Sequence, residues 1–202
     1  MIEHKYLARL VSRAYNKSEY SAYGIGYNLH LEGTTPIVAI QGTNDVRDVL
    51  TDVRFIPGRS ELGLVPRGFL FAARSVAISV LSNLLKQDKS NQQVREQDLA
   101  ICGHSLGAGV AQIVAGFLTW SGNPPAQCVA FAPPRVGKLK GLLDQIPDCK
   151  AYRFHDDIVC GVPLIYRRPV SLTIMESEKY PSLGRFRNHA MANYQLFLEN
   201  DD

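Results

Sequence analysis

Leu99-Ala100-Ile101-Cys102-Gly103-His104-Ser105-Leu106-Gly107 is the stretch whose reading decides how this chain folds. Leu99 to Cys102 is a short apolar run, as expected of a strand covered on both faces. Beyond Gly107 the pairs Val110-Ala111, Ile113-Val114 and Phe117-Leu118 recur at helical spacing and predict a mostly apolar helix. Only the pentapeptide Gly103 to Gly107, with the pattern G-x-S-x-G, separates the two.

The same alternation continues in both directions. Towards the carboxyl end, Cys128 to Ala132 reads as the next strand, stopped by Pro133-Pro134. Lys150 to Phe154 and Val170 to Ile174 read as two more, and Ala190 to Leu198 as a closing helix. Towards the amino end, Gly68 to Leu85 is a long helical pattern, and Val46, Val49, Leu50 and Val53 make one face of a short helix. Ile37 to Ile40 is apolar at every residue, as a central strand would be, whereas Ala22 to Glu32 alternates around Ile25, Tyr27, Leu29 and Leu31. Tyr6, Leu7, Leu10, Val11 and Ala14 form the stripe of a first helix. Strands interleaved with helices predict an α/β fold with a largely parallel central sheet and helices on both faces.

Composition narrows the function classes. With 202 residues, 46% of them apolar, the chain has enough material for one well-filled core. No repeat or linker divides it, and the polar stretch Lys86 to Gln97 reads as a helix end and a loop, so residues 1–202 are expected to form a single domain. The longest apolar-rich stretch is interrupted by Arg74, Ser75, Ser79, Ser82 and Asn83, so no transmembrane segment is expected. The start, MIEHKYLARLVSR, has no apolar signal region, which predicts a cytoplasmic start with signal-less secretion left open. A net charge of +3 is too small to imply a nucleic-acid partner. Cys102, Cys128, Cys149 and Cys160 match no zinc spacing and read as buried free thiols; no metal is expected.

Chemistry concentrates at the pentapeptide. A serine on a tight strand-to-helix turn needs glycines such as Gly103 and Gly107, because the two backbones come close there. The turn lifts the Ser105 hydroxyl to the amino end of a helix, where free N–H groups favour a developing oxyanion. A serine hydroxyl is a weak nucleophile and needs a base. In serine hydrolases of this topology the order along the chain is serine, acid, histidine. Among five histidines, His4 and His30 precede the serine and His104 adjoins it, its side chain leaving in another direction. His155 would leave only Asp144 and Asp148 as acids, so His189 is the candidate base. Asp156 and Asp157 follow a strand at its carboxyl end, the edge where open α/β sheets place their sites, and one of the pair is the candidate acid. Glu176 and Glu178 read as solvated loop residues. An oxyanion hole would take the N–H of Leu106 and a second donor from the loop Gln41-Gly42-Thr43-Asn44, where Thr43 offers an N–H and a hydroxyl. A plain turn capped by Thr43 is the alternative.

These motifs resemble the class 3 lipases, the fungal-lipase-like branch of the α/β hydrolases. The matching segments, in order, are the strand ending in Gly42-Thr43, Gly103 to Ala108, Phe131-Ala132-Pro133-Pro134-Arg135-Val136-Gly137, and Asp157-Ile158-Val159 with Pro163 soon after. His189 ahead of a helix bearing Tyr194, and a first helix ending at Ala14-Tyr15, complete the likeness. The resemblance implies Asp157 as the acid and Thr43 as an oxyanion residue. Departures are Gln41 in place of arginine, the segment Val65-Pro66-Arg67-Gly68-Phe69 with no histidine where the family has Val-His-x-Gly-Phe, Cys160 in place of proline, and Val49 in place of an aromatic.

The expected activity is therefore that of a serine carboxylester hydrolase, a lipase or esterase acting on acyl esters through an acyl-enzyme on Ser105, with no cofactor. A phospholipase A1-type hydrolase or an acyltransferase would use the same residues, and a catalytically dead lipid-binding module is the non-enzyme alternative. Expected partners are an ester or lipid substrate and transient contact with a lipid surface; oligomeric state is left open. Asp45 to Val53 is the one candidate for a covering helix, and its small apolar face predicts a fixed element and weak activation at interfaces.

Overall fold

The computed structural model describes residues 1–43, 56–88, 98–175 and 189–200. The candidate covering helix, the polar stretch from 89 to 97, and Glu176 and Glu178 lie outside these residues.

Seven strands form the main sheet, in the order β1-β2-β3-β6-β7-β8-β9. They are β1 (Tyr20–Ala22), β2 (Ile25–Glu32), β3 (Thr35–Ile40), β6 (Ala100–His104), β7 (Gln127–Phe131), β8 (Asp148–Phe154) and β9 (Leu172–Met175). The first three pair antiparallel, and from β3 onwards every neighbour is parallel. The carboxyl ends of β3, β6, β7 and β8 therefore lie along one edge, at Ile40, His104, Phe131 and Phe154. A separate hairpin joins β4 (Pro57–Ser60) to β5 (Gly63–Pro66).

Period-two alternation sorts the central strands between two layers. Ile37, Ala39, Ala100, Cys102, Val129 and Phe131 face helices α1 (His4–Asn16) and α4 (Met191–Asn200). Val38, Ile40, Ile101 and Cys128 face α2 (Arg67–Asp88) and α3 (Leu106–Trp120). The stripe foreseen for α1 is real: Leu7, Leu10 and Val11 are fully buried, each contributing about 1.5–3 kcal/mol of transfer free energy. Beneath α3 the sheet carries small residues, with Ala108 packed on Ala130 and Ala151, so this helix lies close to the strands.

Four features depart from the sequence reading. Ala22 to Glu32 is two strands, because Tyr23 and Gly24 both take positive φ and reverse the chain. That is the backbone of a two-residue hairpin turn, for which Tyr23 is an unusual occupant. The β4–β5 hairpin was not foreseen, since a proline begins one strand and ends the other and neither strand alternates in polarity. Short 3-10 helices at Leu139–Gln145 and Val159–Gly161 carry no periodic signal. Finally, Arg67–Lys86 within α2 is long and apolar enough to cross a membrane by length and composition, despite the interruptions. Its Phe69, Ala73, Val76, Val80 and Leu84 are buried in the core, while Ile78, Leu81 and Leu85 are exposed. All four cysteines are free thiols, and Cys149 alone is only half-buried.

Candidate active site

Ser105 occupies the single residue between β6 and α3, with φ 56° and ψ −125°. A non-glycine residue in this region is strained, and strain of this kind persists only where surrounding packing enforces it. Here the packing is backbone against backbone. A Cβ added at Gly103 would lie 2.5 Å from the Gly107 carbonyl oxygen, and one added at Gly107 would lie 2.6 Å from that of Ile40. The Ser105 N–H donates to Phe131 O at 2.9 Å, extending the ladder, and its carbonyl accepts from Ala108 and Gly109 to open the helix.

The loops at this sheet edge bring His189 and Asp157 to the serine. His189 Nε2 lies 2.7 Å from Ser105 Oγ. Its Nδ1 lies 2.8 and 3.0 Å from Asp157 Oδ2 and Oδ1. All three residues are at most 3% exposed. Asp157 accepts two further hydrogen bonds, from the Val159 N–H at 3.0 Å and the Tyr194 hydroxyl at 2.8 Å. An ionised carboxylate only accepts, so the proton on His189 sits at Nδ1, and Nε2 is left to accept from the serine hydroxyl. The choice between the two adjacent aspartates is made by direction: Asp156 turns towards exposed His155, 2.9 Å away.

Alternation along β6 sends the His104 side chain to the α1/α4 face, away from α3. There its Nε2–H donates to the His189 carbonyl at 2.7 Å. Its Nδ1 therefore accepts from the Tyr15 hydroxyl, 2.6 Å away, and Tyr15 in turn accepts from the Gly42 N–H. Burial, and then the neighbouring His189, push the His104 pKa well below its ordinary value and keep it neutral. Burial, followed by the Asp157 charge, holds Tyr194 protonated, as a donor to that carboxylate must be. Tyr15, His104 and Tyr194 are thus partners of the site whose roles the sequence did not disclose. Tyr15 and Tyr194 end or bear helices, and His104 sits inside the motif, but nothing in their spacing states which atoms they bond.

Gly42 is wedged against the serine turn: a Cβ there would lie 2.7 Å from His104 O and 2.9 Å from Ser105 Cβ. That crowding, from the protein itself, is why a glycine is needed at this position. Thr43 follows Gly42 in the chain, and Leu106, the first residue of α3, follows Ser105. The first N–H groups of a helix have no intrahelical acceptor. Among the described residues no cluster of three His, Cys, Asp or Glu side chains could hold a metal ion.

A serine on a strand–turn–helix, bonded to a histidine and then a carboxylate at the carboxyl edge of a parallel sheet, defines an α/β-hydrolase fold. The chain belongs to the family described as Lipase (class 3), which it matches over residues 37–167. His189 lies beyond that span, and geometry alone brings it to the serine. The chain is 31% identical to mouse diacylglycerol lipase-beta over 169 residues, covering 80% of this chain and 24% of that protein. It is 33% identical to the secreted mono- and diacylglycerol lipase A of Penicillium cyclopium over 104 residues, covering 50% of this chain and 33% of that one. The chain thus spans about a quarter to a third of the length of these relatives. A crystal structure of a mutant form of MDLA from Penicillium cyclopium superposes with TM-score 0.65 at 18% identity, over 92% of this chain and 82% of that one.

Proposed function

We propose that this chain is a serine carboxylester hydrolase acting on acylglycerol esters. The observation that carries the reading is the continuous hydrogen-bonded line from Ser105 Oγ through His189 to Asp157. Ser105 Oγ attacks the ester carbonyl carbon as its proton passes to His189 Nε2. The N–H groups of Leu106 and Thr43 receive the negative charge on the carbonyl oxygen. The carbon–oxygen bond to the alcohol then breaks, and His189 returns the proton to the departing alkoxide. Water, deprotonated by the same histidine, attacks the acyl-serine and releases the carboxylic acid. The protons move only among Ser105, His189, the departing alcohol and water, so this chemistry calls for no metal or cofactor. Asp157 keeps the imidazole in the tautomer that accepts from serine and stabilises it once protonated.

The acylglycerol substrate class rests on the relatives, which are named as mono- and diacylglycerol lipases. Transient contact with a lipid surface is supported by a recess of about 270 Å³ beside the loop that follows Asp157. Leu64 and Ile165 line it together with Lys138, Lys140 and Arg167, and Leu164 next to it is 77% exposed. Apolar side chains ringed by cations suit a lipid–water boundary.

The test is labelling by a fluorophosphonate combined with hydrolysis of a nitrophenyl ester and of a diacylglycerol emulsion. The intact protein should be labelled at Ser105 and hydrolyse both. Ser105→Ala should lose label and fall below about a hundredth of the parent activity with its melting temperature unchanged. Activity retained in that variant would remove Ser105 from its role.

A further inference from the structure

Arg135, Arg153 and Arg168 converge at the outer end of the sheet, on the side away from α1 and α4. Arg153 lies on β8 opposite Ile174 of the edge strand β9, and Arg135 follows the double proline after β7. Arg168 reaches back into the loop behind Asp157, where its Nη2 donates to Cys160 O at 2.7 Å. Arg153 and Arg168, with Ser171, line a cleft of about 540 Å³.

Among the described residues no carboxylate forms an ion pair with this group. The Nε–H of each of the three arginines is buried and has no hydrogen-bond partner. Burial first, then the charge of Arg135 and, less, that of Arg153, lower the pKa of Arg168, so both cations act on it. The adjacent Cys160 thiol is pushed up by burial and by Asp157, and supplies no counter-charge. Asp144 lines the same cleft and pairs with none of the three. Uncompensated, partly desolvated like charges destabilise a fold, and buried guanidinium donors ordinarily find acceptors. Guanidinium forks match the oxygens of phosphate, and three positive charges suit a dianion better than a carboxylate, with its single charge and two oxygens.

We propose that Arg153 and Arg168, backed by Arg135, form a binding site for a phosphate group, whether free or carried on a lipid headgroup. The site is separate from the serine and its two partners, and its test does not depend on the hydrolase reading. A phosphate bonded to Arg168 would stiffen the segment that holds Asp157, because Arg168 anchors Cys160 three residues further on.

Calorimetric titration of the full chain at low salt distinguishes the sources, with inorganic phosphate in one arm and a dissolved short-chain phosphatidic acid in the other. The site predicts saturable one-to-one binding of phosphate, weakened about tenfold or more in Arg153→Gln and in Arg168→Gln. Asp144→Asn should bind more tightly, and Arg59→Gln, distant in sequence and not part of the cleft, should bind as the parent does. Tighter binding of the phosphatidic acid assigns the site to headgroups; equal or weaker binding assigns it to the free ion. Either supports the site. Melting temperatures identify any variant that fails to fold. Arg153, whose Nε–H has no hydrogen-bond partner among the described residues, carries the test if Arg168→Gln unfolds, with Asp144→Asn as the reading in the opposite direction. Absence of saturable binding in both arms, or binding indifferent to Arg153→Gln and Asp144→Asn, would overturn the proposal.

Discussion

Asp157 and Asp156 are adjacent and chemically identical, yet only one is buried against His189. The chain turns after Phe154, with the Asp157 N–H donating to the Phe154 carbonyl, and this directs the second carboxylate inward. An amide at 157 could still bond the imidazole but would favour the wrong tautomer. Asp157→Asn should therefore reduce kcat on a dissolved ester by a factor on the order of 10³ or more, whereas Asp156→Asn should change it little. Steady-state kinetics of the two variants make the comparison, and the reverse ranking would move the acid role to Asp156. Tyr15 acts at one remove. Its hydroxyl joins the Gly42 N–H to His104 Nδ1, and His104 holds the His189 carbonyl, so the two sides of the site share one connection. Tyr15→Phe removes that connection while filling the same space. The expected result is kcat lowered about three- to tenfold with KM nearly unchanged, because what is lost is alignment rather than substrate contact. A change confined to KM would show that Tyr15 shapes the pocket instead.

At the scale of elements, α1 is fastened to the sheet at both ends. Tyr15 does so at the site, and His4 does so at the far end, where its ring nitrogens lie 2.6 Å from the Tyr152 hydroxyl and 2.8 Å from Asp148 Oδ2. Gln127 adds a hydrogen bond to the same Asp148 oxygen at 2.6 Å. Burial alone would raise the Asp148 pKa, but the hydrogen bonds from His4 and Gln127 outweigh it and hold the pKa below the ordinary value. A carboxylate whose pKa is lowered by folding stabilises the fold above its unfolded pKa. That contribution is lost as pH falls through the folded value. Asp148→Asn should thus cost about 1 kcal/mol at neutral pH, and the difference from the parent should shrink below about pH 4. Urea denaturation at several pH values measures this, and a difference constant down to pH 2 would refute the linkage. On the opposite side of the site, α4 supplies Tyr194 and the short segment before it supplies His189. Docking of α4 on α1 and on Phe154 therefore positions both the base and a donor to the acid.

At the scale of the molecule, Ser105, His189 and Asp157 lie at one edge of the parallel strands, and Leu164 and Ile165, in the loop after Asp157, are exposed. Replacing Leu164 and Ile165 together by serine removes apolar contact area without entering the core. The rate on an emulsified acylglycerol should fall about fivefold while the rate on a dissolved nitrophenyl ester stays as before. Equal loss on both substrates would place these residues in the pocket rather than at an interface. The α/β architecture, the serine turn and the spacing of the strands were all legible in the chain, because each depends on local rules. Apolar runs of four or five residues make covered strands, helical periodicity makes α1 to α3, and glycines flank a serine where two backbones nearly touch. The turn at Tyr23-Gly24 and the β4–β5 hairpin were not legible, since neither alternates in polarity and their pairing is set by what packs around them. What the sequence determined by itself was which residue types could do the chemistry and the order in which they come. Only the tertiary structure decided which of two aspartates faces inward, that His104 turns from the serine to hold the His189 carbonyl, and that Arg135 and Arg153 come near enough for their charges to act on Arg168. Hydrogen bonds and charge pairs between distant segments depend on direction and on a few tenths of an ångström, and those are set only when the layers pack.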